Sequence, residues 1–320
     1  MSNWIVEQDA KRITRRRRTR EDLTALPFLA PWLIGIAVFF VYPFVATVYF
    51  SFTRYDQLNP PEFVGLRNWI YVLTTYEPFF QSMANTFWFV LLMVPAATVF
   101  GLLTGAVVMK IKRGAGVFRT LFYLPYLAPP VAATLSFVFL LSPTGPVNQI
   151  LAKVGIPGLH WFTDPATAKI ALTLLMLWGI GNLMIIFLAS LLDVPREQYE
   201  AASLDGAGAL SQFRYVTLPA IKPIIVFAVV TGVIEVLQYY TQAIVAGQVA
   251  SGLSIGPGTG FTPGYPNGST LTLPQLIYSL GFQNFDAGSA SVVAVVLMVL
   301  ALGVTVILLR RGSAFLTEGD

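Results

Sequence analysis

The chain has 320 residues, 55% of them apolar and only 11% charged, with a mean hydropathy of +0.68. Soluble domains carry about 25% charged residues, so this composition belongs to an integral membrane protein. With no cysteine, one histidine (His160) and no lysine followed by serine or threonine, the chain has no thiol chemistry, no histidine metal cluster and no P-loop of its own.

Six apolar runs, near 26–52, 83–109, 117–141, 167–192, 222–246 and 286–309, are long enough to cross a bilayer, which takes about 20 residues. The formal charge of +4 would suit a nucleic acid, but its placement argues otherwise. Sixteen of the 20 basic residues fall where six spans leave the chain on one side: the tail before residue 21, the 110–119 loop, the loop holding Arg196, Arg214 and Lys222, and Arg310 and Arg311. The positive-inside rule makes that side cytoplasmic, with both termini inside, and nucleic acid is not an expected partner.

In chain order, residues 1–24 form a basic cytoplasmic tail that fixes orientation and touches anionic lipid. The apolar run after it exceeds the h-region of a signal peptide and lacks a clear A-x-A end, so it reads as an uncleaved first span. A transmembrane domain then occupies 25–312, followed by a short cytoplasmic tail at 313–320. Pro27, Pro31 and Pro43 predict kinks in the first span. In the outer loop 53–82, FVGLRNW suits an interfacial helix. KIKRGAGVFRT makes a tight basic turn, and Pro125, Pro129 and Pro130 in LPYLAPP predict a bent or unwound start to the third span. GPVNQIL and HWFTDP read as short amphipathic or capped segments.

The loop 193–221 opens with Asp193 as a helix cap, Pro195 in the first turn and Glu197 in support. Gly206 and Gly208 offer a left-handed stop. A helix over about 195–205 and a second segment through Tyr215 are expected, with Pro219 and Pro223 leading into span five. The outer loop 247–285, without a basic residue and rich in Gly, Pro, Ser and Thr, is expected to be flexible and exposed. There is no obvious internal repeat and no room for a soluble domain.

Of the 16 acidic residues only Glu235 lies well within a span. A charged carboxylate at mid-bilayer costs about 2.5–3.5 kcal/mol on insertion scales, so it faces a cavity or a partner, or is protonated. Thr231, Glu235, Gln238 and Gln242 recur at helical spacing and predict one polar face, flanked by Tyr239 and Tyr240. Interhelical hydrogen bonding is the ordinary use of such residues; an acid among them favours cavity lining. Carboxylate, amide and phenol groups suit a polyhydroxylated solute, and they suit a cation as well. Asn182 beside Gly181, and Thr134 and Ser136, are weaker candidates, since lone amides and hydroxyls more often serve packing. No nucleophile–base grouping, paired carboxylates or metal-ligand spacing occurs, so the chain is not expected to be an enzyme.

Glu200-Ala201-Ala202, three residues, Gly206, nine residues, then Val216-Thr217-Leu218-Pro219 matches EAA-x3-G-x9-I-x-LP, with Val216 in place of Ile. This resembles the EAA loop of permease subunits of binding-protein-dependent ABC importers. FVGLRNW, FRTLFYLPYLAPPV, WFTDP and FRYVTLPAIKPII look like the carbohydrate-uptake branch, the maltose- and glycerol-phosphate-type permeases. The resemblance implies an all-α, six-helix type I importer permease in the bacterial inner membrane. It implies half of a pathway for ATP-driven uptake of a sugar or polyol, with a non-sugar solute such as glycerol 3-phosphate as an alternative. A second homologous permease, two cytosolic ATPase subunits and an extracytoplasmic solute-binding protein are the implied partners. ATP and Mg would lie on the ATPases, leaving no cofactor on this chain. Glu200, Ala201, Ala202, Asp205, Gly206, Leu218 and Pro219 would form the coupling element seated in an ATPase cleft, and Thr231, Glu235 and Gln238 would fall at solute-contacting positions. Glu235 departs from the hydroxyl and amide groups of maltose-type relatives, and the 247–275 loop is longer than the family's short turn. A proton-coupled transporter using Glu235 as relay is the rival reading, and a receptor without transport a more distant one.

Overall fold

Prolines and glycines divide the apolar runs into the helices of a computed structural model that describes residues 28–253 and 263–317, with side chains through Gly312. The basic tail, Pro27, the centre of the 247–285 loop and the last three residues lie outside the described residues. The chain divides into two units, Met1–Phe50 and Ser51–Asp320. In the first, α1 (Phe28–Phe50) carries a π turn at Ala37–Val41, where the Tyr42 N–H donates to the Ala37 carbonyl. The wider turn falls just before Pro43, whose ring would crowd a regular helix.

The second unit starts with a two-stranded antiparallel ribbon, β1 (Thr53–Arg54) and β2 (Glu62–Phe63), which pairs Thr53 with Phe63. Asp56 accepts from the backbone N–H of Asn59 (2.7 Å) and Leu58 (3.0 Å) in the intervening turn. Those donors, Asn59 first, hold its carboxyl below the usual carboxylate range. Helix α2 (Arg67–Thr74) forms where FVGLRNW predicts a helix, pinned by Asn68 Nδ2 to the Thr53 carbonyl at 2.8 Å.

Helix α3 (Glu77–Lys110) forms the axis. Its 34 residues rise about 50 Å at 1.5 Å each, well beyond the hydrocarbon layer. Span three is the pair α4 (Ala115–Tyr123, tightening to a 3-10 turn through Leu127) and α5 (Pro130–Leu140), bent by 101°. Pro129 and Pro130 lack the N–H groups that would carry α4 onward, as their sequence predicts. Helix α6 (Pro146–Lys153) lies in the following loop. Span four is α7 (Pro165–Trp178), capped by Asp164 accepting from Ala166 N at 2.9 Å, and α8 (Gly181–Leu192), bent by 52°. Helix α9 (Arg196–Leu204) and α10 (Ala209–Ala220) fill the 193–221 loop, and α11 (Lys222–Leu237) follows at 67° to α10. Then come α12 (Thr241–Ser251), α13 (Leu273–Tyr278) and α14 (Ala287–Thr317). Among the described residues three helices, α1, α3 and α14, are long and apolar enough to cross a membrane, and six spans result when each bent pair counts as one.

Helix α3 packs closely on α8 because Gly101 and Gly105 remove side-chain bulk. A Cβ at Gly101 would lie 3.1 Å from Leu183 Cγ, and one at Gly105 would lie 3.2 Å from Leu188 N. Small residues four apart let membrane helices approach in this way. The central core joins Phe89 and Met93 of α3 to Leu172, Val236 and Tyr239. Leu91, Leu103 and Val107 face outward from the same helix, as lipid-facing positions do.

Four sequence expectations need correction. Span five is not one helix over 222–246: α11 stops at Leu237 and α12 starts at Thr241. The buried Tyr239 ring packs against Phe89 (5.9 Å), and the Thr272 hydroxyl donates to the Tyr239 carbonyl at 2.9 Å, in place of a helical N–H. The 247–285 loop is not uniformly exposed, since Thr270 to Leu273 are buried. Asn85 Nδ2 on α3 donates to the carbonyls of Gly268 (2.8 Å) and Leu271 (3.0 Å), and Thr86 Oγ1 accepts from Leu273 N (3.1 Å), so α3 satisfies the loop backbone. Asp193 sits at the C-cap of α8 rather than capping the next helix, whose N-cap is Pro195 without a side-chain bond. The last helix runs through 313–317, where a tail was expected.

Candidate functional site

The breaks in spans three, four and five leave two open cavities that meet at one acidic side chain. The first, about 230 Å³, is lined by Asn182 of α8 and by Thr231 and Glu235 of α11, with Tyr126 and Phe227. The second, about 170 Å³, is lined by Glu235, Tyr239 and Gln242, with Pro125, Tyr126 and Trp178. Tyr126, Met176, Gly179 and Glu235 line both. Non-helical backbone at membrane depth is tolerated where it lines a water-filled space, and here Ala128 and Gly179 line the second cavity.

Glu235 is exposed to this space and Asn182 is too. The Thr231 hydroxyl donates to the Phe227 carbonyl at 2.7 Å, leaving its lone pairs toward the cavity. Tyr239 is buried, its Oη donating to the Leu172 carbonyl at 3.4 Å, so only part of the ring borders the second cavity. Gln238 caps α11 and lines neither cavity. The expected polar stripe is therefore split by the 238–240 break: Thr231, Glu235 and Asn182 come together on one side, and Gln242 rejoins Glu235 on the other. Thr134 is buried, its hydroxyl donating to the Pro130 carbonyl at 2.7 Å, and Ser136 donates to Ala132 O at 2.9 Å, which are backbone roles. A third cavity is larger, about 330 Å³, but lies among Val138, Phe139, Trp161, Phe162 and Val249 without a charged group. Among the described residues no three His, Cys, Asp or Glu converge as metal ligands.

Sequence reading missed Tyr126, Gly179, Met176 and Trp178 as lining residues. The break at Gly179 was the available signal: a glycine in an apolar run, at a level shared with the proline-broken span.

The 193–221 loop is an ordered two-helix element. Helix α9 ends in a Schellman motif, with Ala207 N donating to Ala202 O (2.9 Å) and Gly206 N to Ser203 O (3.1 Å), and Gly206 at φ +80°. Gly208, by contrast, is extended at φ −72° and precedes α10. Gln212 Nε2 donates to Ser203 Oγ at 2.9 Å, crossing between the two helices. Tyr199, Phe213, Val216 and Leu218 pack beneath against Leu191, Val194 and Ile221. Glu200, Ala201, Asp205, Gly206 and Pro219 are exposed and Ala202 is half-buried, while Leu204 and Leu210 are 90% and 81% exposed. These two leucines leave apolar surface uncovered on an otherwise polar loop.

Helices broken around a polar cavity, with an ordered two-helix loop at one end, define a membrane permease. The chain belongs to the family of binding-protein-dependent transport system inner membrane components, which matches residues 97–314. It is 33% identical to the probable ABC transporter permease protein YesP of Bacillus subtilis (strain 168), over 95% of each chain. It is also 33% identical to the lactose transport system permease protein LacF of Rhizobium radiobacter, over 88% of this chain and 92% of that one. A solved bacterial ABC transporter involved in the import of the acidic polysaccharide alginate superposes with a TM-score of 0.77 at 20% identity, covering 94% of this chain and 99% of its own. The all-α importer-permease fold implied by the EAA spacing is thus the fold of this chain, and the protein is an ABC transporter permease subunit. Proton coupling finds no support in these relationships.

Proposed function

We propose that this chain forms half of the pathway by which a sugar or related polyol is taken up across the bacterial cytoplasmic membrane, driven by ATP hydrolysis on separate subunits. The observation that carries the solute path is the convergence of Glu235, Asn182, Thr231 and Gln242 on two adjoining cavities where three spans are broken. Each cavity is smaller than the roughly 300 Å³ at which small-molecule sites begin, as expected when a second, homologous permease supplies the other wall. Carboxylate and amide groups grip neighbouring hydroxyls, and Tyr126 and Trp178 offer rings for sugar C–H faces.

The 193–221 element is the ATPase-docking surface in this reading. Small residues at Ala201, Ala202 and Gly206 let a partner backbone approach, exposed Leu204 and Leu210 give it apolar contact, and Glu200 and Asp205 give ion pairs. Leu218 and Pro219 carry movement of the loop into α11, which holds Glu235. The basic loops support a cytoplasmic location for this element, the N-terminal tail and the C-terminus, by the positive-inside rule. Two ATPases, carrying ATP and Mg, and an extracytoplasmic solute-binding protein complete the assembly; the chain itself holds no cofactor and does no chemistry. Vesicles containing the assembled transporter should accumulate labelled sugar when supplied with ATP and the binding protein, and a protonophore should leave the rate unchanged. Uptake that collapses with the proton gradient would overturn ATP-driven transport.

A further inference from the structure

The charge of the cavity walls bears on which solutes can pass. Glu235 lines both cavities, and no Lys, Arg or His lines either one among the described residues. The other polar groups are neutral: Asn182, Thr231 and Gln242, with the Tyr126 phenol. An anion that enters gives up hydration, finds no cation on this chain's wall to replace it, and meets a carboxylate. An uncharged polyol does better. Its hydroxyls donate to Glu235 and accept from the amides of Asn182 and Gln242, while its C–H faces rest on Tyr126 and Trp178. A phosphorylated or uronate-bearing solute would need a guanidinium or ammonium partner of the kind that recognises such groups elsewhere.

We propose that this chain's half of the passage favours uncharged polyhydroxylated solutes over anionic ones, with Glu235 as its specificity-determining residue. The inference rests on the cavity being the solute path. Glu235 has neutral neighbours on every element by which this chain lines the two cavities, so its charge sets the sign of the field from this wall. Helix α5 contributes Pro130 and Ala133, α8 contributes Asn182 and Leu183, and Ile180 lies just before α8.

Trp178, which shares the second cavity with Glu235 and is 41% exposed, reports that field directly. The experiment uses the assembled transporter in nanodiscs and takes the Trp178 signal as the difference from Trp178→Phe. Quenching by caesium, iodide and neutral acrylamide is compared at matched ionic strength, each scaled to a free tryptophan derivative. Caesium should quench about two- to fivefold more effectively than iodide, the size of effect one charge gives across a wet cavity. Glu235→Gln should bring that ratio to about one. Equal quenching by the two ions in the unsubstituted protein, or a ratio indifferent to Glu235→Gln, overturns the specificity assignment while leaving the solute path intact. Failure of acrylamide to quench Trp178 at all would mean a space closed to solutes, and would remove the path and the assignment together.

Discussion

Tyr199 Oη and Thr217 Oγ1 lie 2.9 Å apart and tie α9 to α10 across the 193–221 loop. Thr217 is buried and Tyr199 sits on the apolar cluster that includes Leu191, Val194 and Ile221, so the bond lies where the loop meets the bundle. A push on the loop therefore reaches α11 through a braced element. Tyr199→Phe and Thr217→Val should each cost about 1 kcal/mol of local stability, the net worth of one such bond. ATPase subunits should still co-purify, but sugar moved per ATP should fall severalfold. An unchanged transport-to-hydrolysis ratio in both variants would show that the brace plays no part in coupling.

Gly206 separates backbone strain from partner contact. Its left-handed backbone costs a non-glycine residue about 1–2 kcal/mol, less for asparagine. A Cβ there meets nothing of this chain within 4 Å. Gly206→Asn should thus keep most ATPase association and Gly206→Trp should lose it, with membrane insertion normal for both. If the tryptophan variant still binds the ATPase and transports, the docking assignment is wrong.

Glu235→Ala removes the carboxylate that the described residues contribute to the cavity walls, without breaking a hydrogen bond within the chain that the fold depends on. A hydrogen bond to a charged group is worth about 1.5–3 kcal/mol, so uptake efficiency for a neutral sugar should fall roughly ten- to a hundredfold. Subunit assembly should be unaffected. Unaltered uptake kinetics would take Glu235 out of the path.

Asn148 of α6 is a buried hub: its Nδ2 donates to Leu159 O (2.8 Å) and Ser142 O (3.1 Å), and its Oδ1 accepts from Leu159 N (3.0 Å) and Trp161 Nε1 (3.2 Å). Asn148→Ala leaves these groups without their partner in a closed site and should destabilise by about 2–4 kcal/mol. A thermal-inactivation series on the purified complex would read this as a drop of several degrees. An unchanged midpoint would show that water replaces the amide.

What was legible in the sequence is what backbone chemistry dictates locally. Pro129 and Pro130 announce the sharpest bend because they lack donors, and Gly206 announces its left-handed turn because other residues pay a steric penalty there. Loop charges and the EAA spacing supplied the class of protein. The break after Leu237 carries no proline or glycine; it depends on Thr272, over thirty residues away, taking the Tyr239 carbonyl. The same long-range pairing hid the burial of 270–273, whose Gly, Pro, Ser and Thr neighbours read as an exposed loop until Asn85 and Thr86 are seen to satisfy it. Gly101 and Gly105 lie four apart on one face of α3, but such spacing does not say which helix lies opposite.

The 101° corner in span three has an implication for how the bundle can move. Ala128 N donates back to Pro125 O, and Ala133 N donates to Pro129 O, so each arm closes its own hydrogen bonds and none bridges the Ala128–Pro129 link. Most membrane helices would have to rupture main-chain bonds in hydrocarbon to swivel. Here the joint is already open, and α5 can change its tilt beside the cavity while α4 keeps its seat against α8.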